Sequence, residues 1–600
     1  MNNIKLTARS VAYSWDLIFS SSRFLIFIDF ALKTVRTSFP LLTAFLLKYI
    51  LDALTHEAPD IEKILLFVLL YGLAVVLNRG VVSAQSLTRS TITKKAQHLY
   101  ECRLAEKLSA LPMGMLDSSK CKDTVAEVRY TKNVAVQLIF RVTDTLSCVY
   151  SFSVVFVTLA SFSLGFSIIL LVLTVPNCIF NEYYCRKTDD FRREHAPNLR
   201  KSFYYRWMLT DAWPAKDVRM YDLTDPIKGR YEEEKERYIK ENKKLGKRVL
   251  RGKLFIELFR RSGEMIFIAY VIFKAVNGTI GIGDVALYIG FAGTITDRFQ
   301  EITWFIADAF CCVAECMGKM FAFFEEKTEN INGVRVLSRF ESLAFENVYF
   351  KYPHTEKYIL SGASFALERG DKLSIVGING SGKSTIIKLM LGLYTPDSGR
   401  ILINGYPMED YDIREVRKLF SALFQSFVQY PLTLRENVSL SALERMENDE
   451  EIEAVLLQSG IYGDIQPKLE KGLDSFMSRN FDDKGTALSK GQWQKIALSR
   501  AYFKNAQIVI FDEPSAALDA QAEDRIFKNF ESISDGKTGI MISHRISGSR
   551  ISNKIIVLEN GRITGQGTHE ELTSLGGMYA RLYNLQKEKY TAKEADRYEQ

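Results

Sequence analysis

Cysteine is missing from the second half of the chain. All eight cysteines (Cys102, Cys121, Cys148, Cys178, Cys185, Cys311, Cys312 and Cys316) precede residue 317. None shows zinc-ligand spacing, and none falls in a loop assigned below to the outside of a cell, so neither a disulfide scaffold nor a zinc site is expected. Proline is scarce at 13 residues, and glycine is ordinary at 36, while 39 Phe and 28 Tyr can fill cores. Collagen-like, mucin-like and disordered classes are thereby excluded. A dense basic tract is also lacking: 78 Lys and Arg stand against 71 Asp and Glu, a net charge of +7. No nucleic-acid partner is expected from that balance. The N-terminal run MNNIKLTARSVAYSWDLIF has no small-residue cleavage site, so it reads as an interfacial elbow and not as a signal peptide. No peptidase-like segment precedes the apolar half, so leader processing by this chain is not expected.

What is present is length and unevenness. Six hundred residues exceed what one core holds, so at least two domains are expected. Apolar windows long enough to cross a bilayer recur near 24–47, 64–82, 143–163, 166–184, 254–276 and 284–307. The connections after the first, third and fifth windows are short and poor in Lys and Arg. The other two are long and charged: one carries Arg89, Lys94, Lys95, Arg103 and Lys107, and the other runs from Arg186 to Lys253. The positive-inside rule then places both termini in the cytosol of a multi-pass protein of the cytoplasmic membrane. The long connections read as membrane helices continuing into the cytosol, with tips at 114–120 and 211–217. Past Lys327 the pattern becomes that of a soluble α/β domain. The expected organisation is a transmembrane domain over 1–330, a linker over 331–340, a nucleotide-binding domain over 341–586 and a charged tail over 587–600.

The second half carries the strongest signal: Gly377-Ile378-Asn379-Gly380-Ser381-Gly382-Lys383-Ser384-Thr385, after a β-like run and before a helical one. That is the context of a phosphate loop, whose glycines let successive N–H groups face phosphate oxygens at a helix N-terminus. Lys383 would neutralise the β- and γ-phosphates, and Ser384 would hold Mg²⁺. Downstream, the strand Ile508-Val509-Ile510-Phe511 ends on Asp512-Glu513. Asp512 suits a Mg²⁺-bound water, and Glu513 suits polarisation of the water that attacks the γ-phosphate.

With Gln425, Leu488-Ser489-Lys490-Gly491-Gln492, Ser515-Ala516-Ala517-Leu518-Asp519 and His544, this ordered set resembles the nucleotide-binding domain of an ATP-binding-cassette (ABC) transporter. The six preceding windows resemble the exporter architecture, and the resemblance covers about 11–586. It implies a multi-domain membrane protein: a six-helix, all-α transmembrane domain with long cytosolic extensions, then an α/β P-loop ATPase domain with a helical subdomain. It implies ATP and Mg²⁺ as cofactors and ATP hydrolysis coupled to transport. Tyr352 matches the aromatic that stacks on adenine. Gln425 matches the residue that touches Mg²⁺ and the attacking water, and His544 matches the switch histidine on the γ-phosphate. Asp519 matches the aspartate linking two sites of a dimer. Ser489, Gly491 and Gln492 belong to the signature that caps ATP held by a partner subunit.

Lys490 stands where the signature normally has glycine. It either points away harmlessly or marks one half of a heterodimer, with the heterodimer favoured as the partner arrangement. The implied activity is a half-transporter moving a peptide, lipid or amphipathic small molecule by alternating access. The alternatives are a membrane-embedded ATPase acting as regulator or sensor, and an exporter-fold importer. Span six places Asp297, Glu301, Trp304, Asp308 and Glu315 on one stripe, and span one places Asp29, Lys33, Arg36 and Pro40 on another. Charge is costly in lipid, so both stripes should face protein or a wet cavity. Either Lys33 and Arg36 pair with Asp297 or Glu301, or the acids line a cavity for cationic cargo.

Overall fold

The computed structural model describes residues 2–56, 60–308, 313–353, 355–513, 520–543 and 546–585. The chain divides into two compact units, one of Met1–Lys107 and Asp123–Glu326, the other of Leu108–Lys122 and Lys327–Gln600.

The first unit is built from α1 (Asn2–Leu54), α2 (Ile61–Ser109), α4 (Ser119–Thr210), α5 (Ala215–Met220), α6 (Thr224–Val276), α7 (Ile282–Asp308) and α8 (Ala314–Glu325). A short α3 (Met113–Leu116) lies in the segment that belongs to the second unit. Helix α2 has 49 residues, about 74 Å at 1.5 Å per residue, against a hydrocarbon core of about 30 Å. Such helices run well past a bilayer. Two serines interrupt the long helices. Ser22 (φ −158°, ψ 52°) separates the amphipathic lead of α1 from the first apolar window. Ser163 (φ −157°, ψ 102°) does the same between windows three and four inside α4, so the short connection after the third window is a one-residue break.

Among the described residues three helices are long and apolar enough to cross a membrane: Ile4–Leu54, Ile61–Ser109 and Cys121–Thr188, the last covering two windows. Windows five and six fall on α6 and α7, where Glu257, Arg260, Arg261, Glu264, Asp297, Arg298 and Glu301 dilute the apolar run. The unit's core gathers Leu41, Val155, Leu159, Phe267, Val271, Leu287, Phe291 and Ile295. Aromatic stacks of Phe162 on Tyr288 and Phe166 on Tyr270, each with centroids 4.4 Å apart, tie α4 to α6 and α7.

The second unit holds two sheets. β1 (Ser342–Phe350), β2 (Leu360–Glu368), β4 (Ser398–Ile403) and β5 (Tyr406–Pro407) form an antiparallel sheet of order β2-β1-β4-β5. The other sheet contains β3 (Lys372–Val376), β6 (Phe420–Leu423), β7 (Ile508–Asp512), β8 (Thr538–Ile542), β9 (Lys554–Glu559) and β10 (Arg562–Gly567), in the order β10-β9-β3-β8-β7-β6. It is parallel except at β10. β7 and β8 are buried along their whole length, which explains their continuous apolar runs. Helix α9 (Lys383–Met390) follows β3, and α10 (Ile413–Lys418) precedes β6. A helical subdomain of α11 (Leu434–Ser439), α12 (Asp449–Gln458), α13 (Tyr462–Ile465) and α14 (Lys490–Lys504) packs around Val438, Leu456, Trp493 and Phe503, in a core continuous with Phe511 of β7 and Met541 of β8. α15 (Ala520–Ile533) and α16 (His569–Ser574) complete the unit.

Candidate functional site

In an open parallel sheet the carboxyl ends of the strands are where ligands bind, and the sequence candidates converge there. The loop after β3 needs glycine for steric reasons. A Cβ on Gly377 would lie 2.3 Å from the Leu558 carbonyl oxygen and 2.7 Å from Ser381 Oγ. Gly380 (φ 78°) and Gly382 (φ 107°) occupy the left-handed region, which side chains disfavour. Asn379 is exposed at the loop's tip.

The polar groups of this loop fit a polyphosphate. Ser381 is 2% exposed, and its hydroxyl has no partner among the described residues. Lys383 is buried, and its Nζ donates to the carbonyls of Gly377 at 3.0 Å and Ile378 at 3.1 Å. Burial pulls this amine below the ordinary lysine range, opposed by the charges of Glu513 and Asp512. The Ser384 hydroxyl donates to Asp512 Oδ1 at 3.2 Å. Burial pushes the Asp512 carboxyl upward, the Ser384 hydroxyl draws it back, and Glu513 adds to the rise. A hydroxyl and a hard carboxylate oxygen are the donor types Mg²⁺ takes.

Glu513 leaves the line of β7 because its backbone adopts φ 49°, a left-handed conformation for a non-glycine residue. Its N–H donates to the Ile542 carbonyl at 2.9 Å, fixing the turn on β8. Gln425, two residues past β6, donates Nε2 to Glu513 Oε2 at 2.9 Å. Strain of this kind collects at functional sites. Tyr352 packs edge-on against Phe350 and Tyr394, with centroids 5.2 and 5.4 Å away. Its hydroxyl lies 3.1 Å from Thr385 Oγ1. Lys388, which the sequence reading missed, donates to the same hydroxyl at 3.2 Å. One turn beyond Ser384 on α9, it carried no signal apart from its helical spacing.

Ser489 and Gln492 form a capping box at the start of α14. Ser489 Oγ accepts from the Gln492 N–H at 3.3 Å, and Gln492 Oε1 accepts from the Ser489 N–H at 3.0 Å. Lys490 and Gly491 are exposed in the first turn, and space around Gly491 is open. His544 and Asp519 lie outside the described residues, as does Ser515-Ala516-Ala517-Leu518.

In the membrane unit the stripes are paired differently from the pairing expected. Lys33 binds Asp144 at 2.9 Å, and Arg36 donates to Gln85 Oε1 at 2.9 Å, so neither takes Asp297 or Glu301. Asp29, 1% exposed, accepts from Arg89 at 2.9 Å and Gln85 at 3.3 Å, and Arg89 reaches Asp144 at 2.7 Å. The partners of Asp29, Lys33 and Arg36 thus come from α2 and α4. On α6, Arg260 binds Glu264 and Thr296 at 2.6 Å and reaches Asp297 only at 3.8 Å. Glu301 takes Arg298 at 2.6 Å and the Cys148 thiol at 2.9 Å. Asp297 and Glu301 remain 62% and 53% exposed. Trp304 is 41% exposed beside the Arg141 guanidinium. The side chains of Asp308 and Glu315 are outside those described. The α6 network was also missed, although Glu257, Arg260, Arg261 and Glu264 have the three- and four-residue spacing of helical ion pairs.

Residues 360–516 match the family described as ABC transporter. The subtilin transport ATP-binding protein SpaT of Bacillus subtilis is 33% identical over 476 residues, covering 77% of this chain and 75% of SpaT. The nisin transport ATP-binding protein NisT of Lactococcus lactis is 25% identical over 557 residues, 92% of each chain. Among solved structures, a bacterial Atm1-family ABC exporter with ATP bound superposes with a TM-score of 0.75 at 22% identity, covering 94% of this chain and 98% of that one.

Proposed function

This chain belongs to the ABC transporter family, and on that premise we propose how its residues perform ATP-driven export. It is an exporter-type half-transporter that works as a dimer in the membrane and couples ATP hydrolysis to transport. In our reading, Lys383 and the N–H groups from Gly377 to Thr385 hold the β- and γ-phosphates, and the Ser381 hydroxyl satisfies a phosphate oxygen. Tyr352 offers its face to adenine. Glu513 takes a proton from the attacking water, and Gln425 holds its carboxylate in register. Ser384, Gln425 and Asp512 would hold Mg²⁺, which supplies neutralisation of phosphate charge. Ser489, Gly491 and Gln492 cap the ATP of the partner subunit, and His544 and Asp519 complete the family's set.

The observation that carries this reading is the 2.9 Å bond from Gln425 to Glu513 beside the 3.2 Å bond from Ser384 to Asp512. Three separate elements deliver these groups to one sheet edge. Glu513→Gln should retain ATP while lowering steady-state hydrolysis at least about a hundredfold, the weight general-base assistance carries. Near-normal turnover would remove Glu513 from the role.

Two finer points belong to the same proposal. The cargo is amphipathic with a cationic face, drawn to the exposed carboxylates of Asp297 and Glu301 on α7; the relatives named for subtilin and nisin transport favour a peptide. The partner is a second, non-identical half-transporter, because Lys490 puts a cation in the first turn of α14, where the helix dipole favours anions. Purified alone, the chain should hydrolyse ATP poorly and gain activity with that partner. A homodimer fully active alone, and indifferent to Lys490→Gly, would overturn the pairing. Both termini and the ATPase unit are cytosolic, with the protein in the cytoplasmic membrane.

A further inference from the structure

Tyr352 is held by two parts of the fold that are distant in sequence. Phe350, the last residue of β1, and Tyr394 each meet its ring near the perpendicular, with centroids 5.2 and 5.4 Å away, and they meet each other at 5.5 Å. Both neighbours are buried, so the ring leans on a fixed wall.

Its hydroxyl is held by α9. Thr385 and Lys388 are three residues apart on that helix, which puts both side chains on one face. Lys388 Nζ donates to the Tyr352 hydroxyl at 3.2 Å, closing a span of 36 residues. A phenol that accepts from an ammonium keeps its own proton for another acceptor, and Thr385 Oγ1 stands 3.1 Å away. Thr385 is the last residue of the phosphate loop, so the ring is tied to that loop directly.

Packing alone does not call for this arrangement. Tyr352 is half-buried, and water could satisfy its hydroxyl while the two neighbouring rings held the side chain. A helical lysine ordinarily keeps its ammonium in water. Lys388 is instead half-buried, with its ammonium 5.1 Å from the Tyr352 ring centroid and 5.8 Å from that of Tyr394. Among the described residues it takes the phenol and no carboxylate. Service to Asp512 does not explain its place either. Burial, the largest influence, raises that carboxyl, and Lys388 is a minor one among the groups drawing it back.

ATP fixes the distance from its base to its phosphates. A site that grips both ends gains most when the two grips are already in register, because ordering a side chain on binding costs affinity. On the reading of Tyr352 as the adenine platform, we propose that Lys388 clamps the Tyr352 hydroxyl onto the phosphate-loop helix and presets the ring at the distance ATP requires. Lys388 is then a positioning residue for base recognition. It acts through Tyr352 and sets the part of the affinity that comes from the base.

The test compares ATP with inorganic tripolyphosphate, which carries the phosphates and no base. Both are titrated by thermophoresis against the full chain in lipid nanodiscs, without Mg²⁺ so that ATP is not consumed. The unaltered chain should bind ATP more tightly than tripolyphosphate. Lys388→Met should weaken ATP about three- to tenfold, the worth of freeing one ordered side chain, and leave tripolyphosphate within about twofold. Tyr352→Phe, which keeps the ring and leaves α9 untouched, reads the same hold independently and should weaken ATP by a similar factor. Adding Lys388→Met to it should cost little more, as for two residues that share one interaction. Unchanged ATP affinity in Lys388→Met would overturn the clamp. An equal loss for both ligands would overturn it too, since a charge acting on the phosphates or a damaged α9 predicts that result. Losses that multiply in the double variant would do the same. If the unaltered chain bound ATP no tighter than tripolyphosphate, the adenine platform itself would fall, and the clamp with it.

Discussion

Lys383 in the nucleotide unit and Arg89 in the membrane unit are both cations withdrawn from water, and they are compensated in different ways. Lys383 is met by two neutral backbone carbonyls, and Asp512, its counterpart across the site, by a neutral serine hydroxyl. Arg89 is met by two carboxylates, Asp29 and Asp144, and Lys33 adds a second cation to the cluster. Two positive and two negative charges there cancel. Neutral partners satisfy the hydrogen bonds of a charge but leave its field available to an incoming ion of opposite sign. Opposite charges consume that field and hold helices together instead. The same contrast recurs inside the membrane unit between Glu264, 7% exposed and bound to Arg260, and Asp297, 62% exposed with its nearest arginine 3.8 Å away.

The largest effect is expected at Arg89. Arg89→Ala leaves two carboxylates without their principal partner. Breaking a buried pair in this way costs about 3–5 kcal/mol, and the partial exposure of Asp144 (36%) argues for the lower end. Thermal unfolding in detergent should show a large drop, recovered in part by adding Asp29→Asn and Asp144→Asn. An unchanged melting temperature would mean the cluster is not structural.

A smaller effect is expected on α7. Asp297→Asn with Glu301→Gln should change stability by less than about 1 kcal/mol, as expected for exposed pairs. In inside-out vesicles, ATP-dependent uptake of a cationic amphipathic dye should nevertheless fall severalfold. Full uptake in the double variant would remove these acids from the cargo path.

The two regions also differed in how much their sequences disclosed. The phosphate loop was legible because phosphate binding demands glycine at fixed spacing, and Gly377, Gly380 and Gly382 each prove sterically or conformationally necessary. The Asp512-Glu513 pair was legible because a fully buried parallel strand must be apolar up to its last residue. Gln425 had meaning only through family resemblance, and its bond to Glu513 depends on β6 lying beside β7. In the membrane unit, periodicity grouped Asp29, Lys33 and Arg36 on one face of α1 but did not identify the helix opposite it. That is why Lys33 and Arg36 find partners on α4 and α2. In the nucleotide unit, Lys388 carried no signal beyond its helical spacing, since its bond to Tyr352 closes over 36 residues.

The most direct measurement is made on Lys383→Ala, with ATP binding and thermal unfolding followed on the same preparation. A buried cation whose hydrogen bonds go to neutral carbonyls should be dispensable for folding and indispensable for nucleotide. The expected result is loss of ATP binding and hydrolysis with a melting temperature equal to or above that of the unaltered chain. ATP binding that survives the substitution, or a collapse in stability without ATP present, would contradict the account.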